Sequence, residues 1–326
     1  MQTLRVRAAM LDAVRQFFRS RNYLEVETPC LSRDIVIDAW LEPMQVMQSR
    51  QRWYLQTSPE AHMKRLLAAG SGSIFQISRV FRSEEYGARH NPEFTMVEWY
   101  GVDSTWSQQM ELTESLVREV FAAAAAPLLA AMQTDSLPHS TFACPCVTEE
   151  QFQQTTYAEA FRRVFDVDVH QLSGSELMAV AESHAVALPE SCEEHLRDDI
   201  LNAMLAFAIE PELGRSKSDG TLSPEFLCDY PPSQAALAVT SESSPVVARR
   251  FELYIDGLEL CNGYQELTDV DELIRREVAQ NRIRTESELE LLPGAPHLQA
   301  AMQAGLPQCS GVALGFDRLV MVATGA

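Results

Sequence analysis

Three stretches of this chain hold residues whose types and spacing could do chemistry. The first is 79–100, RVFRSEEYGARHNPEFTMVEWY, where Arg82, Glu84, Glu85, Arg89, His90 and Asn91 crowd a polar loop. Pro92 ends the loop and resists helical conformation in the residue before it. Beyond it the chain alternates, and strand period two puts Phe94, Met96, Glu98 and Tyr100 on one face. A chance charge cluster explains FRSEE alone, but two aromatics, a carboxylate and a thioether do not make an ordinary solvated strand face. The second stretch is FELYIDGLELCN, 251–262, in which Asp256-Gly257 separates two alternating runs and signals a hairpin. A two-residue turn there pairs Ile255 with Leu258, Tyr254 with Glu259 and Glu252 with Cys261. Glu252 and Glu259 become diagonal neighbours about 7–8 Å apart. Like charges so placed are unfavourable unless a cation lies between them, and two hard carboxylates suit Mg²⁺ shared with phosphates. By spacing alone, two solvated acids on an exposed face explain the pair equally well. The third stretch, SGVALGFDRLV from Ser310, reads as a buried strand, a glycine turn and a helix start. Glycine lets backbone approach a ligand, and Arg318 just inside the helix can meet a phosphate.

The elements that must position these residues follow from periodicity. Val6, Met10, Val14 and Phe17/Phe18 fall at helical spacing in Arg5–Arg19, and Asn22 can take the left-handed turn that stops the helix. Leu24–Pro29 alternates as a short strand ended by proline. Trp53–Gln56 is another strand. Ser58-Pro59-Glu60 predicts a helix start, with Ser as N-cap and Pro at the first helical position, and the helix stops at Gly70. Glu60 there needs no role beyond favouring the helix dipole. Ile74–Phe81 and Phe94–Tyr100 form a hairpin around the polar loop. Ser107–Phe121 is helical and Ala122–Ala126 extends it until Pro127 interrupts. Gln133–Glu150 reads as a linker. Tyr157–Phe165, Ser175–Val186 and His195–Ile209 read as three helices without chemistry, so 134–224 is expected to be a linker and helical insertion within one catalytic domain, 1–326. Thr268 with Asp271 resembles a capping box for a helix Val270–Arg284, whose arginines are expected on a solvated face.

Composition excludes several classes. A chain of 326 residues has room for one large or two modest domains. No apolar run is long enough to span a bilayer, and Asp12 and Arg15 break any secretory core near the N-terminus. Seven cysteines occur without a Cys-x-x-Cys pair, which argues against zinc and for buried thiols in a reducing cytoplasm. A formal charge of −20 argues against general nucleic-acid binding.

FRSEE…RHNPEFTMVEWY resembles motif 2 of the class II aminoacyl-tRNA synthetases of lysyl type. FFRSRNYLEVETPCL resembles their motif 1, TSPEAHMKRLL and FELYIDGLELCNGYQELTD match the same type, and GVALGFDRLVM resembles motif 3. The motifs occur in order, and the similarity covers the chain outside the insertion. It is strongest to the short lysyl-tRNA synthetase paralogues that modify elongation factor P. The chain opens at motif 1, without the OB-fold that reads the anticodon, and Ala313 stands where lysyl-tRNA synthetases carry glycine. Two features depart from the pattern: Tyr264 replaces a usual phenylalanine, and the chain stops at Ala326, short of the usual tail.

The resemblance implies an α+β fold, an antiparallel sheet flanked by helices, in a cytoplasmic homodimer joined through the motif 1 helix. It implies ATP-dependent activation of (R)-β-lysine, with Mg²⁺, and transfer to a lysine side chain of elongation factor P. Arg82 would grip the α-phosphate and Arg318 the γ-phosphate. Ser83, Glu84, His90, Asn91 and Phe94 would hold the rest of ATP from the loop side, with Phe94 stacked on adenine. Leu260 and Gly315 would approach ATP from the other side, and Glu252 and Glu259 would hold the metal. Ser58, Pro59, Glu60, Glu98 and Tyr100 would bind the amino acid, together with Asn262, Tyr264, Glu266 and Ala313. Three competing readings are a lysyl transferase to tRNA lacking the anticodon domain, an amidating ligase of the asparagine synthetase sort, and a non-catalytic regulatory paralogue. The acidic charge speaks against tRNA, the three glutamates 60, 98 and 266 favour a diamino acid, and retention of Arg82, Arg318, Glu252 and Glu259 favours catalysis.

Overall fold

The computed structural model describes residues 2–83, 86–87, 89–132, 147–189 and 197–325. The expected ATP contact Glu84, most of the expected linker and the start of the expected third insertion helix lie outside them.

Helix α1 (Gln2–Ser20) buries Val6, Met10, Val14, Phe17 and Phe18, the stripe its periodicity selects. It ends where Asn22 takes φ +61°. Strand β1 (Leu24–Glu25) follows, shorter than expected. A small sheet comes next, made of β2 (Leu31–Ser32), β3 (Gln45–Gln48) and β4 (Gln51–Leu55). Helix α2 (Glu60–Ala68) starts one residue late, with Pro59 itself as N-cap, and Ser58 Oγ accepts only a long 3.4 Å bond from Glu60 N. Strands β5 (Ile74–Phe81) and β6 (Glu93–Val102) make the expected hairpin, with Ile74 opposite Tyr100. Helix α3 (Trp106–Met132) contains Pro127 rather than stopping there. The alanines before it favour helix, and the buried stripe Val117, Val120, Phe121 and Ala124 offsets the lost hydrogen bond.

Strand β7 (Gln153–Thr156) leads into α4 (Tyr157–Phe165) and α5 (Gly174–Ser183), which open on capping boxes at Thr156/Glu159 and Ser173/Glu176. Helix α6 (Arg197–Met204) stops short of Ile209, because Leu205–Ile209 widens into a π turn and Glu210–Glu212 tightens into a 3₁₀ turn. After β8 (Glu225–Tyr230) come β9 (Ala248–Ile255) and β10 (Leu258–Gln265). Asp256 and Gly257 both have positive φ, +49° and +69°, as a two-residue hairpin turn of the primed kind requires. Beyond the turn the register departs from expectation. A bulge at Leu260 sets Cys261 opposite Leu253 and Asn262, not Cys261, opposite Glu252. Helix α7 (Val270–Glu286) is capped by Asp269, whose side chain accepts from Asp271 N and Glu272 N, and not by Thr268. Its arginines are only in part the expected solvated face: Arg275 and Arg282 are 70 % and 80 % exposed at the side chain, but the other two are not. Arg284 is fully buried on Glu42 at 2.6 Å, and Arg276 donates to the carbonyls of Ala236 and Ala238. Helix α8 (Pro296–Gly305), β11 (Cys309–Gly315) and α9 (Phe316–Thr324) end the chain.

Among the described residues the large sheet has eight strands in the order β1-β5-β6-β11-β10-β9-β8-β7. The six central strands pair antiparallel, as expected, while the two edges, β1 on β5 and β7 on β8, are parallel. One face carries Phe75, Val97, Trp99, Phe251, Leu253, Val312 and Leu314 against α1, α3 and α9. Strand alternation turns the residues between them to the opposite face. There α4–α6 cover the β8–β9 end and α2 and α8 the Tyr100–Cys309 end. The uncovered middle of that face is the floor of the molecule's large cavity.

Candidate active site

The cavity has a volume of about 900 Å³, within the range of small-molecule sites. Its floor is the polar side of four adjacent strands. Strand β6 contributes Phe94, Met96, Glu98 and Tyr100, the face predicted from period two, and β11 contributes Gly311, Ala313 and Gly315. From β9 and β10 come Arg250, Glu252, Glu259, Asn262, Tyr264 and the bulged Leu260. Leu260 keeps its side chain in the core, 1 % exposed, so its backbone is what meets the cavity. Ser58, Glu60, Arg82, His90, Asn91, Glu266 and Arg318 complete the set of expected residues along the wall. Pro59 and Ser83 stand outside it: Pro59 caps α2, and Ser83 N donates to Glu42 O at 2.8 Å.

One end of the cavity is acidic. Glu60, Glu98 and Glu266 are buried there, at 8 %, 2 % and 0 % exposure. Tyr100 donates its hydroxyl to Glu98 Oε1 at 2.7 Å. Burial lifts Glu98 well above the ordinary carboxylate range, with Glu60 adding to the rise. Glu98 Oε2 and Glu266 Oε1 are buried with no hydrogen-bond partner, a costly state for an acceptor unless a donor arrives. Between Glu60 and Glu266 lies Lys64, which the sequence reading passed over. Its position four residues after Glu60 on a helix was a usable signal.

The other end mixes both signs. Arg82 lies over the Phe94 ring, 5.2 Å from guanidinium carbon to centroid. Arg318 donates to Glu259 O at 2.7 Å and to Glu259 Oε2 at 3.2 Å, and its other amine nitrogen is 2.7 Å from His90 Nε2. Asp317 anchors α9 by accepting from Arg7 at 2.5 Å and from Thr95 N at 3.0 Å.

Glu252 is the hub between the ends. It accepts from Arg250 at Oε1, 2.6 Å, and from Tyr230 and Tyr254 at Oε2, 2.5 and 2.6 Å. Charge-assisted bonds of that length hold the carboxylate in one orientation and leave a lone pair of Oε1 open. Burial and the nearby Glu252 raise the pKa of Glu259. Glu210, from the turn after α6, also reaches this group, its Oε1 3.2 Å from the Tyr254 hydroxyl. Burial, with Glu252 and Glu259 adding to it, pushes Glu210 up to about 7. The helical segment expected to hold no chemistry therefore brings a carboxylate, with Asp198 and Asn202, to the cavity wall. Nothing local in sequence marks Glu210, because only the tertiary fold brings it to β9. Among the described residues no three acidic, His or Cys side chains form a metal cage by themselves, but Glu252 and Glu259 are hard oxygen donors that repel one another, which fits Mg²⁺ held jointly with substrate phosphates.

Comparison with known proteins places the chain in a family. The family model "tRNA synthetases class II (D, K and N)" matches residues 1–326. Proteins named elongation factor P–(R)-β-lysine ligase are similar over nearly the whole chain. That of Pectobacterium atrosepticum is 40 % identical over 323 residues, 97 % of this chain and 89 % of its own length. That of Yersinia enterocolitica is 40 % identical over 326 residues, covering 98 % and 90 %. That of Vibrio cholerae is 39 % identical over 328 residues, covering 99 % and 91 %.

Proposed function

The chain belongs to the class II tRNA synthetases of the D, K and N group, and from that premise we propose that it is an AMP-forming ligase that activates (R)-β-lysine with ATP and transfers it to a lysine side chain of elongation factor P. The observation that carries the reading is the polarity of one cavity: three buried carboxylates at one end, two of them with unpartnered oxygens, and two arginines and an aromatic ring at the other. A diamino acid fits with its ammonium groups on Glu60, Glu98 and Glu266 and its carboxylate toward Arg82. Ser58, Tyr100, Asn262, Tyr264 and Ala313 shape the room around it.

In the first step the substrate carboxylate attacks the α-phosphate of ATP in line. A phosphorus–oxygen bond forms, pyrophosphate leaves, and the aminoacyl adenylate remains. Arg82 holds the α-phosphate, and Arg318 leaves Glu259 and His90 to hold the γ-phosphate. Phe94 stacks on adenine, with Asn91, His90 and the backbone of Leu260 and Gly315 around the nucleotide and Ser83 behind. Glu252 and Glu259 would hold Mg²⁺, which when bound offsets charge on the phosphates. In the second step the acceptor amine attacks the adenylate carbonyl, forming the amide and releasing AMP and a proton. No covalent nucleophile is needed, since positioning and charge stabilisation suffice for such chemistry.

We read residues 1–326 as one catalytic domain with 134–224 inserted. The assembly proposed is a cytoplasmic homodimer through α1 and the edge strand β1, where Leu24 is 56 % exposed. No helix among the described residues is long and apolar enough to cross a membrane. The test is intact mass of elongation factor P after incubation with ATP, Mg²⁺ and either lysine isomer. One added β-lysyl group per acceptor is expected. No mass change on the protein, with label transferred to tRNA instead, would overturn the reading.

A further inference from the structure

A pocket built to receive ammonium groups already contains one. Lys64 sits one turn after Glu60 on α2 with its side chain 2 % exposed. Its Nζ donates to Glu60 Oε1 at 2.6 Å and lies 2.5 Å from Glu266 Oε2. Burying a lone ammonium costs several kcal/mol, and breaking a buried pair leaves an uncompensated charge. Lys64 is therefore no incidental neighbour of the two carboxylates. Burial pulls its pKa down, but Glu266 and Glu60 more than offset that and hold it above its ordinary value, so it stays charged.

Lys64 engages one oxygen of each carboxylate and leaves others open. Glu98 Oε2 and Glu266 Oε1 remain buried without a partner. Glu266 Oε1 faces the backbone of Gly311 beside the Tyr100 ring, near enough for the Gly311 amide to favour the charged carboxylate but outside hydrogen-bond geometry. With all three acids ionised, three carboxylates less one ammonium leave two negative charges at this end of the cavity, the complement of a ligand with two ammonium groups; in the empty site burial and Glu60 favour a proton on Glu98, which an arriving ammonium would displace. We propose that Lys64 is a positioning residue that sets this charge balance and holds Glu60 and Glu266 so that Glu98 Oε2 and Glu266 Oε1 receive a diammonium ligand. The inference deepens the proposed function and rests on it. Without Lys64 the three acids would share one dry site and take up protons, and a neutral acid binds an ammonium poorly.

Other titratable and charged groups face the cluster from each packed element. They are Glu98 and Tyr100 on β6, Tyr264 on β10 and the Cys309 thiol opening β11. Helix α8 also packs on α2, but its His297 is engaged with Asp34 at 2.7 Å. Among these groups Lys64 is the cation paired directly to the acids.

The experiment is amino-acid-dependent pyrophosphate exchange across pH, with β-lysine and ATP titrated separately, in wild type and in Lys64→Met, Lys64→Gln and Lys64→Arg. In the neutral variants KM for β-lysine should rise by roughly 10- to 100-fold while kcat and KM for ATP stay within about threefold. The acid limb of kcat/KM for β-lysine should move up by about one pH unit or more, because carboxylates that lose their cation hold protons to higher pH. Lys64→Arg keeps the charge and should keep the wild-type limb. Where Lys64→Met does not fold, Lys64→Gln, which can still donate to one carboxylate, supplies the neutral arm. An unmoved acid limb in a folded neutral variant, with both KM values rising together, makes Lys64 mere packing and overturns the inference alone. A wild type that exchanges with no diamino acid overturns the proposed function and this inference with it.

Discussion

Gly311→Ala tests whether the acidic end of the cavity binds the amino acid. Gly311 lies on the cavity face of β11, opposite Tyr100 on β6 and Tyr264 on β10. A methyl built there would fall 2.4 Å from Glu266 Oε1 and 2.4 Å from Tyr100 Cε1, where ordinary contact begins at 3.4 Å. Glu266 and the Tyr100 ring must each give by about 1 Å, the difference between those distances. Neither moves freely. Glu266 is held to Lys64 at 2.5 Å, and Tyr100 packs in the core beneath α2 while its hydroxyl binds Glu98 at 2.7 Å. Overpacking a site of this kind costs about 1–3 kcal/mol. If the strain is taken up by displacing the two ligand-facing groups, kcat/KM for the amino acid falls by roughly 5- to 160-fold. The nucleotide end is built from other residues, so KM for ATP should hold. The assay is pyrophosphate exchange with each substrate varied in turn, beside a urea denaturation curve. A folded variant with wild-type KM for the amino acid would refute the placement of the substrate amines on Glu266 and Glu98. An equal loss toward ATP and amino acid would reduce the effect to a general loss of packing.

Arg318→Ala should abolish most adenylate formation, since the γ-phosphate loses a charge-assisted partner; exchange near the wild-type rate would sink that role. Glu252→Gln and Glu259→Gln should each raise the Mg²⁺ concentration needed for half-maximal rate, and superimposable Mg²⁺ titrations would leave both as plain acids. Ala313→Gly removes a methyl from the floor between Glu98 and Asn262, where an α-amino group would sit. It should improve α-lysine relative to β-lysine by about 10- to 200-fold, and an unchanged ratio of efficiencies would make Ala313 simple packing. Glu210 has its folded pKa raised to about 7 from an ordinary 4.5, so the folded state holds its proton longer than the unfolded one. The stability this contributes is present below pH 4.5 and lost as pH rises through 7, a fall of up to about 3 kcal/mol. Glu210→Gln should flatten that decline in chelator-treated protein, and parallel pH profiles for variant and wild type would contradict it.

What the sequence made legible was what local periodicity encodes. Period two on 94–100 named the cavity face of β6 correctly, because a strand buried on one side and lining a ligand site on the other must alternate. The Asp256-Gly257 turn was equally plain. The bulge at Leu260 was not, since nothing in LELC announces an extra residue. It turns Asn262 toward the cavity while Glu252 and Glu259 remain there, so the wrong register still leaves these three residues on the cavity wall. Pro127 inside α3 and the buried arginines of α7 went the other way. Propensity and charge describe an isolated helix, and tertiary packing overrode both. Glu210, Tyr230 and Arg250 were invisible for a third reason. Their relation to Glu252 exists only once β8, β9 and the turn after α6 are stacked.

The same stacking bears on which way the proposed substrate would lie. Strands β6, β11, β10 and β9 are neighbours in one hydrogen-bonded sheet, so the acidic and arginine-bearing ends of the cavity cannot slide past one another. An amino acid entering with its carboxylate toward Glu98 and Glu266 would bring a third anion onto buried acids that already raise one another's pKa. Entering with its amines first, it meets the two unpartnered oxygens and directs its carboxylate toward Arg82. A net-acidic chain thus orients a zwitterionic substrate without a dedicated carboxylate clamp at the amine end. The arginines that complete the alignment are those needed for the phosphates. On the proposed reading the two substrates would share one floor, and the reacting oxygen and phosphorus would meet where its acidic and basic halves adjoin.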